Sequence, residues 1–492
     1  MLVEQPCRED FASPSPSPGI AQTGQWSRPI LFLVCIVLAL PVAARIAGFA
    51  ARSTYRQPII FNEGWNAYHA HSAAIGQALY AAKPGRMAIN YPPLSFHLAG
   101  ALGRVLGDVN FAGRLLSFVA LAWVTLCAAL IVRKLSGNDV AATLAAMFCT
   151  GWFSFFAPAY VGANDPQMIG HALVMTALLL YTLRPDSSPF LIGSCILCCA
   201  GGFVKPNLFA FPVAISLDLL LRSRRRFALW AVAAAITFTA FTSLTFWVDG
   251  PFFLQHVVSP RGYSFARAAL VSPLFFQLFA PALLVCAIWG VWSLRRPTAR
   301  LLVAALLISV VSSIYFSGGS GVSLNVFFDS VIAMSMMAAL AVAEFADLAG
   351  AGSPSGLLVL AILPLVLSSA LLIAGRHSSV APSHELVETD QVFMNDVAYL
   401  RSKPGPALCL TLLLCYQAGK PLIFDPFTTG ELMDTGRLDA RQIAAEFTGQ
   451  KFSIIQMLDE EHTGFPPSLI AALDSSYRLE RRTPVGAFYV PK

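Results

Sequence analysis

The chain has 492 residues, 56% of them hydrophobic and only 12% charged, with a net charge of +6. Soluble domains carry about 25% charged residues. This composition therefore excludes an ordinary soluble enzyme, and repeated apolar runs near 20 residues point to a polytopic α-helical membrane protein.

Residues 1–28 include SPSPSPG and read as a disordered cytoplasmic tail. The apolar run from Pro29 has no small-residue cleavage site and is long enough to span, so a first span is placed at 29–50 rather than a cleaved signal. A polar stretch follows from Ile60 to His97. It holds Asn62, Glu63, Asn66, His69, His71, Lys83, Arg86 and the turn Asn90-Tyr91-Pro92-Pro93. So dense a polar cluster in so apolar a chain reads as the wall of a reaction chamber. The next segment, 92–108, is short for a span and is broken by His97 and Arg104, so it reads as a helix lying at the membrane surface or packed on the protein. Further spans are placed at 112–132, 138–158, 167–183, 189–204, 206–221, 227–247, 271–293, 300–316, 325–346 and 356–375. With the first, these make about eleven transmembrane helices.

Loop charges test this count. The cationic links are Arg133-Lys134, Arg184, Arg222 with Arg224-Arg225-Arg226, and Arg295-Arg296 with Arg300. With 92–108 left out of the count, all of them fall on the cytoplasmic side, as the positive-inside rule requires. Counting 92–108 as a span would put them all outside. The same parity sends the chemically rich connections to the outer face: the loop 51–111, GANDPQ at 162–167, the break at Lys205-Pro206-Asn207, and the loops 248–270 and 318–325. The expected location is the bacterial inner membrane.

Residues 376–492 hold 25 of the 60 charged residues, with a net of −3. Strand-like runs at 407–415, 420–426, 452–458 and 486–490 alternate with helix-like runs at 439–449 and 467–475. This predicts a small α/β domain in the periplasm, following a membrane domain at 29–375. Cys409 and Cys415, six residues apart on one strand, would stand about 20 Å apart, so a disulfide between them needs an intervening turn. Cys195, Cys198 and Cys199 read as small buried hydrophobes, since no His or carboxylate accompanies them.

Glu63 opens a plausible helix, so Asn66 and His71 share its face. A carboxylate there suits a general base, with a solvated surface charge as the plain alternative. Asp165 is either a helix cap before Pro166 or a cap that also serves a site. Together the two carboxylates are candidates to share a substrate hydroxyl or a divalent metal ion. Lys83 and Arg86 are solvated loop cations or phosphate ligands. Lys205 interrupts an apolar stretch, where an ionisable group is costly and usually functional. His256 and Arg261 are weaker candidates of the same kind. Asn325 and Asp329 open a late span, where a helix start can present donors to an anion. Asn62, Tyr91 and Asn164 complete the polar set expected to bind substrate. No Walker, Rossmann, HExxH or nucleophile-elbow pattern occurs.

The order of NEGWNAYHA, NYPPLSFHLAGALG, FAGRLLSF, NDPQ and FVKPNLFAFP resembles the GT-C membrane glycosyltransferases over about 29–375. Within them it looks most like the branch of protein O-mannosyltransferases and lipid A aminoarabinose transferases. The resemblance implies transfer of a sugar from a polyprenyl-phosphate donor to an envelope glycan, lipid or protein acceptor on the outer face, with no nucleic acid involved. By that resemblance Glu63 falls at the second position of the family's acidic pair, Asp165 at the second-loop acid, Lys83 near the donor-phosphate lysine and Lys205 at the Lys-Pro break. The first acidic position is Asn62 here, which departs from the family pattern. The rival readings are a transporter or flippase of a lipid-linked substrate, and a non-catalytic accessory subunit. Against the transporter stand the lack of an inverted repeat and the scarcity of mid-span charges.

Overall fold

The computed structural model describes residues 27–350, 353–375, 383–423, 425–458 and 466–492. Most of the expected tail at 1–28 and the junction at 376–382 lie outside the described residues. The membrane portion runs α1 (Ser27–Arg52), α2 (Glu63–Ala74), α3 (Leu94–Leu106), α4 (Val109–Ser136), α5 (Asp139–Phe156), α6 (Gln167–Leu183) and α7 (Ser188–Gly202). It continues through α8 (Ala210–Arg222), α9 (Arg224–Val248), α10 (Phe253–Val257), α11 (Phe265–Ser293), α12 (Pro297–Phe316), α13 (Phe328–Leu348) and α14 (Pro354–Gly375). Among the described residues, seven helices (α4, α5, α9 and α11 to α14) are long and apolar enough to cross a membrane. Helices also occupy the expected spans at 167–183, 189–204 and 206–221, but α6, α7 and α8 have only 17, 15 and 13 residues. A full crossing needs about 20.

Local chemistry sets the boundaries. At the α4–α5 corner Gly137 takes φ 65° as the C-terminal cap, which a side chain would resist. Asn138 then accepts hydrogen bonds from Val140 N and Ala141 N to start α5. α13 is the centre of the bundle, with its whole apolar window buried. Such all-round burial fits its lack of a polar face. α3, expected as a surface helix, packs one face and leaves the other open. It buries Phe96, Ala99 and Gly100 and exposes Leu98, Val105 and Leu106.

The remaining elements are α15 (Ser383–Ser402), β1 (Ala407–Cys409), α16 (Leu412–Gln417), α17 (Pro426–Asp434), α18 (Ala440–Thr448), β2 (Ile454–Met457), α19 (Pro467–Ser476), β3 (Tyr477–Thr483) and β4 (Gly486–Pro491). The sheet order is β1-β2-β4-β3, with β1 parallel to β2 and the other pairs antiparallel. The α/β class agrees with the sequence reading, but two of its strands do not form as read. The run 407–415 is a strand for only three residues, because the chain turns at Leu410–Thr411 and continues as α16. That turn brings the Cys409 and Cys415 Cα atoms within 5.9 Å and a disulfide joins them. The described part of 420–426 is not a strand. Asp425 instead caps α17, with Pro426 at the first helical position.

The α/β portion docks on α2. A Cβ on Gly64 would lie 2.0 Å from the backbone N of Leu413, so the first turn of α2 admits α16 only because residue 64 is glycine.

Candidate active site

Glu63 is fully buried and every lone pair of its carboxylate is used. Oε1 accepts from Arg114 Nε at 2.8 Å and from the Asn164 amide at 2.8 Å. Oε2 accepts from Arg114 Nη2 and from the Ile59 amide, at 2.6 and 2.7 Å. Arg114, on α4, is itself 1% exposed and also donates to the carbonyls of Ser53, Tyr55 and Gln57. The expected base is therefore saturated by four donors. A carboxylate takes about four such bonds, so none is left for a substrate proton. Helical spacing gives the face of Glu63 but is silent about the guanidinium arriving from another helix. Arg114 was missed by the sequence reading; its signal was one cation in the apolar run FAGRLLSF.

Asn66 and Asn164 belong to the same brace. Asn66 Nδ2 donates to the Asn164 carbonyl at 2.6 Å, and Asn164 Nδ2 donates to Asn110 Oδ1 at 3.0 Å. The Asn164 side chain lies flat on α4, where a Cβ at Gly113 would overlap it. These contacts fix the loop that carries Asp165.

Asp165 is in a different state. Its Oδ1 accepts from the Gln167 amide at 2.8 Å, the capping role. The same oxygen stands 3.6 Å from Lys205 Nζ. Asp165 Oδ2 and Lys205 Nζ are both buried without a hydrogen-bond partner. Lys205 Nζ lies 5.0 Å from the centre of the Tyr91 ring, within cation–π range. Asp165 also acts on Tyr160: burial first, then the nearby carboxylate, pushes the phenol well above its ordinary value. Gln167 extends the network to His171 at 3.0 Å and to Asn325 at 3.4 Å, and His171 Nδ1 stands 3.2 Å from Asp329 Oδ1.

Tyr91 and Tyr160, the two rings beside this pair, line a cavity of about 280 Å³, walled also by Phe61, Trp65 and Phe427 and bearing Asn62, Asn90, Arg261, Ser323, Asp425 and Thr428. Aromatic walls with a few convergent polar groups are the usual make-up of a ligand site. Gly321 and Ser323 are shared with a second groove of about 420 Å³, lined by Arg267, Leu270, Val271 and Leu274. Leu270 and Leu274 of α11 are exposed apolar residues, so this groove joins a hydrophobic surface to the polar cavity.

Asn62 and Tyr91 thus line the cavity, Lys205 and Asp165 adjoin it through the Tyr91 ring, and Asn325 is tied to the same network through Gln167. His71, Lys83 and Arg86 do not join them. His71 faces Tyr416 in a separate cleft of about 930 Å³ on the other side of Trp65 and His69. Lys83 is exposed, near Phe252, and Arg86 is ion-paired to Glu446 of the α/β portion. The KPGR turn carries both cations away from Lys205. Arg261, a weaker candidate by sequence, lines the cavity, whereas His256 braces the 76–89 loop through Ile89 N and Ala82 O. Asp425 and Thr428 lie 100 or more residues beyond the other site residues, in a stretch read as a separate domain, and no local pattern singles them out. Among the described residues no group of three His, Cys, Asp or Glu side chains could hold a metal ion. A divalent ion at Asp165 would have to take most of its ligands from substrate.

No family model matches the chain, and no curated protein matches it. Solved structures do. The apo crystal structure of ArnT from Cupriavidus metallidurans superposes with a TM-score of 0.62 at 13% identity, covering 94% of this chain and 98% of that one. The same protein bound to undecaprenyl phosphate gives 0.62 at 14% identity, covering 94% and 97%. The Archaeoglobus fulgidus oligosaccharyltransferase in its apo form gives 0.55 at 12% identity, covering 95% of this chain and 74% of that one. At these identities the likeness concerns the fold alone: the chain has the fold of ArnT and of the archaeal oligosaccharyltransferase.

Proposed function

We propose that the protein is a membrane glycosyltransferase that moves a sugar from a polyprenyl-phosphate carrier to a hydroxyl of an envelope glycan, lipid or protein. The observation that carries this reading is the buried Asp165–Lys205 pair, with Asp165 Oδ2 and Lys205 Nζ both unpartnered, behind an aromatic cavity that opens into an apolar groove. In this mechanism the prenyl tail lies along α11, and Arg267 and Arg261 meet the phosphate. Lys205 stabilises the negative charge that develops as the phosphate leaves. Asp165 accepts the proton of the attacking hydroxyl. Attack from the face opposite the phosphate inverts the anomeric centre. Glu63 holds the Asp165 loop and takes no proton. The acceptor approaches through the larger cleft beside His69 and Tyr416, whose wall adjoins that of the cavity where His69 packs on Trp65. The ArnT structure with undecaprenyl phosphate supports the donor class.

In the same reading eleven helices cross the inner membrane, the N-terminus is cytoplasmic, and residues 376–492 form a periplasmic domain. The Cys409–Cys415 disulfide supports that side, because disulfides persist in oxidising compartments. The loop charges agree. The test is transfer by purified protein in lipid nanodiscs from undecaprenyl-phosphoryl sugars to envelope lipid and glycan fractions. Transfer by the wild type and its loss in Asp165→Asn are expected. Full turnover by Asp165→Asn would remove the mechanism. Failure of the wild type to bind undecaprenyl phosphate would remove the donor class.

A further inference from the structure

α17 belongs to the α/β portion, yet its first turn forms part of the cavity wall: Asp425, Phe427 and Thr428 all line it. Three contacts seat the helix there. Glu431 Oε2 accepts from the Gly262 amide at 2.7 Å, and Thr429 Oγ1 donates to the Arg86 carbonyl at 2.6 Å. The Phe427 ring packs on Gly321, where a Cβ would lie 2.2 Å from it. Asp425 is 3% exposed and caps the helix through the amides of Phe427 and Thr428, at 3.2 and 3.0 Å. Those two bonds leave acceptor capacity on the carboxylate. Burial pushes Asp425 above the usual carboxylate range, and the Thr428 amide and hydroxyl, the Phe427 amide and, least, the cation Arg261 oppose that shift.

Thr428 is 5% exposed, and its hydroxyl has no hydrogen-bond partner, although it lies beside the Asp425 carboxylate. Across the same cavity the indole N–H of Trp65 is also buried and unpartnered. An unpaired buried polar group costs about 1–3 kcal/mol, and both residues that carry these orphans line the one cavity, which points to a hydroxylated occupant that a small side-chain rotation would meet. The cavity, about 280 Å³, falls just below the ~300–1,000 Å³ of drug-sized sites. One sugar ring suits it better than an oligosaccharide.

We infer that the first turn of α17 is the sugar-recognition wall of the site, where the Thr428 hydroxyl and the Asp425 carboxylate bind adjacent hydroxyls of a single glycosyl unit on the donor lipid. This rests on the polyprenyl-phosphate reading above. It assigns the α/β portion a share of donor selectivity, with Thr428 as a specificity-determining residue.

The test compares binding of undecaprenyl phosphate with binding of undecaprenyl-phosphoryl glucose, mannose, galactose and arabinose to full-length protein in nanodiscs. At least one sugar-bearing lipid should bind the wild type more tightly than the bare phosphate lipid. Thr428→Val should reduce that advantage about tenfold, leave undecaprenyl phosphate within twofold, and keep the wild-type melting temperature. Thr428→Ser, which restores the hydroxyl, should recover it. Equal weakening of both ligand types by Thr428→Val, or no advantage for any sugar in the wild type, overturns the inference while leaving the donor-lipid reading intact. If the wild type binds none of the five lipids, the donor-lipid reading fails and this inference with it.

Discussion

Arg114 meets Glu63 side-on with two nitrogens, at 2.8 and 2.6 Å, and both side chains are almost wholly out of water. A bidentate pair this buried fixes geometry, and breaking it by removing one partner leaves an uncompensated charge. The first prediction is that Glu63→Gln destabilises the protein by about 3–5 kcal/mol, seen as a large drop in melting temperature in detergent. Folded Glu63→Gln protein, per molecule, should keep far more turnover than Asp165→Asn. Normal stability together with abolished turnover would return Glu63 to the role of base.

Asp165 should show the opposite profile. Asp165→Asn preserves the cap to Gln167, since an asparagine oxygen also accepts from the amide. It removes the charge opposite Lys205. Turnover should fall by about 10²–10⁴-fold with little loss of melting temperature. Lys205→Met should instead weaken undecaprenyl phosphate binding more than tenfold. If Lys205→Met binds the lipid as the wild type does, Lys205 does not meet the phosphate.

The contrast between these acids shows what the sequence made legible. Asp165 and Lys205 stood out because each interrupts an apolar run, and their order matched a known pattern. The helices of the bundle were legible because caps such as Gly137-Asn138 punctuate them. Hidden from sequence were pairings across distance. Arg114 reaches Glu63 over 51 residues, and Asp425 reaches the cavity from the α/β portion. A basic turn beside a site resembles a phosphate clamp, yet Arg86 is ion-paired to Glu446, which it shares with Lys451. Strands β2 and β4 were legible, but the early end of β1 was not, since the apolar run at 407–415 fits a buried helix as well as a strand, and nor was β3.

His69 predicts a pH dependence. It is buried between Trp65 and Phe96, and that burial, with His256 nearby as the lesser cause, pushes its imidazole down to about 3. Protonation therefore favours the unfolded chain, whose histidines titrate near 6.5. The stabilisation is complete above about pH 6.5 and is lost as pH falls toward 3, by up to about 1.4 kcal/mol per pH unit. His256, lowered mainly by its own burial, acts in the same direction. His69→Phe should flatten melting temperature against pH between 6.5 and 4, with the His256 slope remaining. An unchanged slope in His69→Phe would show that His69 is not the titrating group.

The last prediction concerns the seat of the α/β portion. The Cys409–Cys415 disulfide closes the turn that leads into α16, and the start of α16 rests on Gly64. In the chain-entropy picture a loop this short contributes about 2 kcal/mol. Reduction should therefore lower the melting temperature without unfolding the membrane helices. Gly64→Ala acts on the same contact from the other side, because its Cβ would lie 2.0 Å from Leu413 N and 2.4 Å from the Leu412 carbonyl carbon. Both obstacles are backbone, so α16 must lift. Overpacking of this kind costs about 1–3 kcal/mol. Because α17 follows α16 in the same portion and walls the cavity, lifting it should also loosen sugar-bearing lipids while sparing undecaprenyl phosphate. Limited proteolysis after Gly64→Ala, or after reduction of the wild type, should cut first between α16 and α18. If Gly64→Ala melts and resists protease as the wild type does, α16 does not hold the domain on α2.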